Sequence, residues 1–285
     1  MAIAEDLRTG GDVTSEISIA PDSQATCTIV QKQPGVICGL PLVPVICREI
    51  DPNLTFQPLT VDGDFSSDRR AVGTLVGATR SILAAERTVL NFLGLLSGIA
   101  SKTREFVVLT KDTPAEIYDT RKTIPGYREL SKYAVRAGGA RNHRMAMDDM
   151  VLVKDNHLAS IASRQGGSDA GTSADWLERA AAHIVAESRA RHLPVEIEVD
   201  DLDQFRRLLT VAGIDVVLLD NMNAGELTEA VAMREAAEHR PILEASGGVS
   251  LETVAAISRT GVERIAVGAI THSATNLDVG LDFGR

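Results

Sequence analysis

Three rhythms of apolar and polar positions succeed one another along the chain. Up to about residue 80 the pattern is strand-like. Thr26-Cys27-Thr28-Ile29-Val30 alternates, Ala71 to Gly77 reads as another strand, and Gly35, Gly39, Pro41 and Pro44 punctuate the stretch between. From Ile82 to about Thr110 the period becomes helical, with Val89, Leu93, Leu96, Ala100, Thr103 and Val107 recurring every three or four residues. Gly94 and Gly98 cost some helix propensity there, and their spacing permits close helix packing. Beyond residue 110, short aliphatic runs alternate with helical stretches. The pattern predicts strands at Ala115–Tyr118, Met150–Val153, Val195–Val199, Val216–Leu219, Pro241–Glu244 and Arg264–Val267. Between them it predicts helices at Trp176–Arg191, Leu202–Val211, Ala224–Glu238 and Leu251–Thr260. Units alternating in this number favour a parallel α/β barrel or near-barrel. Ser163–Ser173 reads as a polar, Gly/Ser-rich loop.

Composition narrows the class. With 285 residues, 44% of them hydrophobic and only 4% aromatic, the chain suits one large α/β domain with a smaller companion. Cys27, Cys38 and Cys47 are odd in number and form no CxxC pair, so neither a disulfide framework nor a zinc site is expected, and a cytoplasmic setting is. No signal-peptide pattern opens the chain. No unbroken apolar run reaches membrane-spanning length, Leu90–Leu96 being the longest candidate.

The net charge of −10 argues against a nucleic-acid binder. The charge is unevenly spread, however. Seven basic residues between Asp119 and Arg144 face only Asp119 and Glu129, a net +5 within an acidic chain. Such a concentrated patch suggests a small anionic ligand.

In an α/β barrel the ligand site lies at the C-terminal ends of the strands. Here those ends carry Asp119 to Lys122, Lys154 to His157, Glu198 to Asp200, Asp220-Asn221, Glu244 to Gly248 and Gly268 to His272. Ser246-Gly247-Gly248 and Gly268 place small residues before helical segments, where backbone N–H groups can approach a phosphate. Glu198 and Asp220 suit ribose hydroxyls or a developing cation, and both could reach Mg²⁺ through water. Arg121, Lys122, Arg144 and Lys154, with His143 beside them, suit a dicarboxylate, because guanidinium groups bind carboxylates bidentately. Arg128, Glu129, Lys132 and Arg136 have helical spacing and read instead as a solvated charged helix.

These blocks resemble the quinolinate phosphoribosyltransferases, also called nicotinate-nucleotide pyrophosphorylases (carboxylating). The resemblance rests on Asp119-Thr120-Arg121-Lys122-Thr123, Gly138-Gly139 followed by Asn142-His143-Arg144, and Lys154-Asp155-Asn156-His157. Ala85-Glu86-Arg87-Thr88, Glu196 to Asp200, Leu219-Asp220-Asn221, Ser246-Gly247-Gly248 and Gly268 to His272 continue it in order. Glu5-Asp6-Leu7 and Gly11-Asp12-Val13-Thr14 extend it to the first residues, although the family usually has a helix ahead of that block.

The resemblance implies a small N-terminal α/β sandwich over residues 1–95, an incomplete, seven-stranded α/β barrel over 96–275, and a tail, 276–285, returning to the first domain. It implies a homodimer or a higher assembly of dimers, with Arg87 lent across the interface to the quinolinate pocket. Arg121, His143 and Arg144 would bind the substrate carboxylates, while Lys122 and Lys154 would serve both substrates. Glu198 and Asp220 would face the ribose, and Ser246, Gly247, Gly248, Gly268 and His272 would cradle phosphate. Lys122, Lys154, Glu198 and Asp220 would carry the catalysis. The implied reaction joins quinolinate to phosphoribosyl pyrophosphate and yields nicotinate mononucleotide, carbon dioxide and pyrophosphate for NAD biosynthesis. Mg²⁺, held mainly by the pyrophosphate, would be the one cofactor.

Three rivals fit parts of this pattern. The nearest is a related, non-decarboxylating enzyme or a paralogue working on another anionic substrate, although the double set of basic positions favours two carboxylates. A Schiff-base aldolase with Lys154 as nucleophile leaves Arg121 and Arg144 unexplained, and borohydride should trap an adduct only in that case. A non-catalytic phosphate-ligand sensor would bind tightly without turnover.

Overall fold

The computed structural model describes residues 1–165 and 175–284. Most of the loop expected at 163–173 therefore lies outside the described residues. Strands are numbered in chain order. The two strand-like segments near the start become β1 (Gln24–Gln31) and β3 (Arg70–Ala78), and between them lies a strand not expected, β2 (Thr55–Pro58). With β10 (Val279–Phe283) from the far end of the chain, they form an antiparallel sheet in the order β10-β1-β3-β2. Cys27, Ile29, Val72 and Leu75 from this sheet join Ile82, Ala85, Val89 and Leu93 of the long helix in one buried cluster. A period of two thus meets a period of three to four, as their sequence spacing requires. All three cysteines are buried and free.

The helical rhythm extends over Thr79–Thr110, 32 residues. By length and composition alone this helix could cross a membrane, and the search for an unbroken apolar run overlooked it. Its most apolar stretch is 61% buried within the fold, the behaviour of a core helix. Gly94 and Gly98 do bring a neighbour close, but that neighbour is the irregular segment ahead of β10, not a helix. The Leu277 N–H donates to Gly94 O at 2.9 Å. A Cβ on Gly98 would stand 2.1 Å from Thr275 O. Gly98→Ala should therefore cost about 1–3 kcal/mol of stability through overpacking. Thermal unfolding reads this directly, and an unchanged Tm would contradict the contact.

Two compact units emerge. The first gathers Met1–Arg104, Glu129–Gly139 and Ser273–Arg285, and the second Glu105–Arg128 and Ala140–His272. The second is built on six strands: β4 (Glu116–Tyr118), β5 (Val151–Val153), β6 (Val195–Val199), β7 (Val216–Asp220), β8 (Ile242–Ser246) and β9 (Arg264–Ala266). They form one parallel sheet in the order β4-β9-β8-β7-β6-β5. Six strands stand, among the described residues, where seven were expected. A lone parallel bridge between Tyr118 and Arg141 adjoins β4.

Every predicted strand of this unit is present to within two residues. The predicted helices occur at Trp176–Ala190, Leu202–Leu208, Ala224–Ala236 and Val254–Ser258. Arg128–Ala137 is helical as its spacing suggests, yet it is not solvated throughout, because Lys132 on it is fully buried.

Alternation along these strands sorts their side chains. Leu152, Glu198, Leu218, Glu244, Ser246 and Ala266 share a face that lines a cavity. Their neighbours Ile197, Val217, Leu243 and Ile265 are fully buried aliphatics. A sheet enclosed on its aliphatic side can carry charge only on the other, which places the polar strand residues in the cavity.

Candidate active site

The cavity encloses about 590 Å³ and is lined wholly by residues of the second unit. Its wall brings together Arg121, Lys122, His143, Arg144, Lys154, Glu198, Asp220, Ser246, Gly247 and Gly248, ten of the positions singled out in the sequence. Gly268 and His272 stand beside Lys122, since a Cβ on Gly268 would meet both side chains at 3.3 Å. Thr271 Oγ1 donates to Lys122 O at 2.8 Å and ties the two loops together. Arg87 belongs to the first unit, where its side chain is 72% exposed and 3.8 Å from Glu86.

Four cations crowd one wall. Arg144 is held below the ordinary guanidinium range by burial and by the neighbouring charge of Arg121. Arg121 Nε is buried without a hydrogen-bond partner. An enclosed guanidinium N–H with no acceptor is costly, so this wall is shaped for an anion. Lys154 Nζ donates to Glu198 Oε2, and Asn221 Nδ2 donates to Asp220 Oδ2 at 2.5 Å. The acidic wall is thus preorganised beside the basic one.

The glycine turn after β8 is built by close approach. Gly247 has φ +89°, and a Cβ there would lie 2.2 Å from Asn221 Oδ1. Asn221, itself at φ 55°, donates its N–H to Ser246 O at 2.8 Å. The helices that follow the two glycine turns are Val254–Ser258 and Ala269–His272, five and four residues long. Backbone N–H groups in the turns, rather than long helix dipoles, are what this site offers a phosphate.

Beneath the basic wall lies a group the sequence reading did not single out. Glu196 and Glu244 are fully buried, on β6 and β8, and their carboxylates meet His143 Nε2 at 3.0 and 3.3 Å. Asp119, also fully buried, accepts the His143 N–H at 2.8 Å and Asn142 Nδ2 at 2.7 Å. The signal was present in the spacing: Glu196 lies two residues before Glu198, and Glu244 two before Ser246, so each pair shares a strand face.

Burial lowers the pKa of His143, but its hydrogen bonds to Glu196 and Glu244 outweigh that and push it up to about 9. Burial, reinforced by the charge of Glu196, raises Glu244. The Arg144 N–H donates to His143 Nδ1 at 2.8 Å. That lone pair is therefore taken as an acceptor, and Nε2 must carry the ring proton. The arrangement consistent with these contacts is a ring protonated on Nε2 with a second proton on the carboxylate pair. It has the same net charge as an imidazolium between two carboxylates. The three groups offer ligand-type atoms within 4.8 Å of one another. A metal ion would need the Nε2 lone pair, which the fixed tautomer removes.

The chain matches the quinolinate phosphoribosyl transferase N-terminal domain over residues 12–97 and the C-terminal domain over 99–282. A nicotinate-nucleotide pyrophosphorylase [carboxylating] of Mycobacterium leprae is 38% identical over 99% of this chain and 94% of that protein. The structure of the nicotinate-nucleotide pyrophosphorylase from Francisella tularensis superposes with TM-score 0.85 at 33% identity, covering 99% of this chain and 93% of that one. Human nicotinic acid phosphoribosyltransferase superposes at TM-score 0.62 and 10% identity, over 96% of this chain and 72% of that one, a likeness of fold alone. With both domains matched and a relative this similar over almost its whole length, the chain belongs to the quinolinate phosphoribosyl transferase family.

Proposed function

We propose that the cavity joins quinolinate to phosphoribosyl pyrophosphate and releases carbon dioxide and pyrophosphate, forming nicotinate mononucleotide. The observation that carries this reading is a single cavity that holds both charge sets. Arg121, Lys122, Arg144 and Lys154 line it together with Glu198, Asp220 and the Ser246-Gly247-Gly248 turn. An aldolase would need a free Lys154 amine, whereas Lys154 is ion-paired with Glu198.

In this reading Arg121 and Arg144, with His143 beside them, hold the pyridine dicarboxylate. Ser246, Gly247, Gly248, Gly268 and His272 hold phosphate, and Lys122 and Lys154 serve both substrates. The bond from the ribose C1 to pyrophosphate breaks as the pyridine nitrogen supplies its lone pair to that carbon. Glu198 and Asp220 stabilise the positive charge that develops on the sugar. The product is a pyridinium, an electron sink. The carboxylate next to the ring nitrogen leaves as carbon dioxide, and the carbon left behind takes up a proton.

Mg²⁺ would enter with the pyrophosphate and supply neutralisation of its charge. Glu198 and Asp220 are the hard oxygen donors that suit it. Since both are already engaged by Lys154 and Asn221, contact through water fits them better than direct ligation.

The finer architecture follows the same reading. The six-stranded sheet is the incomplete, seven-stranded barrel of the family, with the Arg141 bridge in the seventh position. An N-terminal sandwich over 1–95 precedes it, and the tail, 276–285, serves that sandwich. The working unit is a cytoplasmic homodimer, or an assembly of such dimers, in which Arg87 is lent to the neighbouring pocket. Its exposure and its distant acidic neighbour leave it available for that role. Mixing inactive Arg87→Ala and Arg144→Ala subunits should restore part of the activity, because half of the hybrid sites are intact. Failure to complement, with subunit exchange demonstrated, would contradict the shared site.

A further inference from the structure

We propose that Glu196 is a positioning residue for the pyridine dicarboxylate, acting through His143 on Arg144. The inference rests on the substrate reading above and adds a residue that cannot touch either substrate. Glu196 is fully buried on β6 and does not line the cavity, whereas its strand neighbour Glu198 does.

Its only described polar contact is with the imidazole, 3.0 Å from Oε2 to Nε2. Neither Glu196 oxygen is an aligned hydrogen-bond acceptor, so Oε2 holds the ring through close charged contact with Nε2. A buried carboxylate so poorly satisfied is costly to fold around, so its contribution must be sought in what it orients.

The line of contact is short. Glu196, with Glu244 at 3.3 Å, holds the imidazole by Nε2. The same ring accepts the Arg144 N–H through Nδ1 at 2.8 Å. Asp119 holds the two preceding positions, through the His143 N–H at 2.8 Å and Asn142 Nδ2 at 2.7 Å. Arg144 Nη1 then donates to Met150 O at 3.2 Å, which fixes the far end of its side chain. Two consecutive residues, Asn142 and His143, are thus held by buried carboxylates, and the third, Arg144, is held by the His143 ring and lines the cavity. Were the ring free to turn, the Arg144 N–H would lose its acceptor and the guanidinium its fixed origin. The glycine turn that serves the phosphate half is held separately, by the Asn221 N–H on Ser246 O at 2.8 Å. A defect at Glu196 should therefore fall on one substrate only.

The test is steady-state kinetics of Glu196→Leu and Glu196→Gln with each substrate varied in turn. Leucine removes the acceptor, whereas glutamine keeps one for the Nε2 proton. Glu196→Leu should raise the KM for quinolinate about tenfold, the cost of losing one buried charged contact on the ring. The KM for phosphoribosyl pyrophosphate and kcat should stay within about twofold, and Glu196→Gln should recover most of the loss. Equal changes in both KM values, a fall in kcat alone, or a glutamine variant as impaired as the leucine one would overturn the assignment.

Should Glu196→Leu fail to fold, ¹⁵N NMR of the unaltered protein decides the matter without reference to turnover. The His143 ring should show a protonated Nε2 and a bare Nδ1, with or without quinolinate. A protonated Nδ1 would refute the positioning role. Absence of activity in the unaltered enzyme, with the tautomer as expected, would instead count against the substrate reading.

Discussion

Glu198→Gln should cut kcat by about two to three orders of magnitude while leaving both KM values within a few-fold. Loss of one preorganised group facing developing charge typically costs on that scale. Glutamine keeps the size of the side chain and an oxygen for Lys154 Nζ, so the wall should stay in place. What disappears is the negative charge proposed to face the ribose. That charge matters most when the sugar is most cationic, so the loss falls on kcat and not on substrate affinity. A variant that binds both substrates poorly but turns over normally at saturation would show Glu198 to be a ground-state contact. Single-turnover measurement separates this from slow product release.

Arg121→Ala should produce the second-largest effect, this time on affinity. Its side chain lines the cavity close enough to Arg144 for the two charges to repel, so an incoming carboxylate meets two cations that it relieves of each other. Charge-assisted hydrogen bonds of this kind contribute about 1.5–3 kcal/mol each. The KM for quinolinate should therefore rise by about one to two orders of magnitude. The KM for phosphoribosyl pyrophosphate should change little. Arg121→Lys should rescue only part of the loss, because an ammonium cannot reproduce the planar fork. Full rescue by lysine would mean that charge alone, and not bidentate geometry, holds the dicarboxylate at this position.

Much of this site can be read from strand ends. Lys154 follows β5, Asp220 closes β7 and Ser246 closes β8, and a parallel sheet brings such ends to one rim whatever the loops do. The sorting of Glu198 into the cavity and Val199 out of it likewise follows from alternation alone. Other features depend on tertiary contacts that no local pattern encodes. Lys132 has the spacing of a solvated helix face yet is fully buried, and its stretch of helix, Glu129–Gly139, belongs with the first unit although it follows strand β4 of the second. The run containing Gly94 and Gly98 carries no mark that an irregular segment would pack on it from the far end of the chain. The His143 cluster draws on a loop and two strands spread over about a hundred residues. Its Glu196 and Glu244 pass in the sequence for ordinary members of charged strand ends.

The most direct test of the account uses carboxyl-labelled quinolinate, phosphoribosyl pyrophosphate and Mg²⁺ with the purified protein. Released carbon dioxide and the mononucleotide are followed together. The account predicts their release in equal amounts, with every component required. A folded protein that turns over nicotinate in the same assay but leaves quinolinate untouched would contradict it.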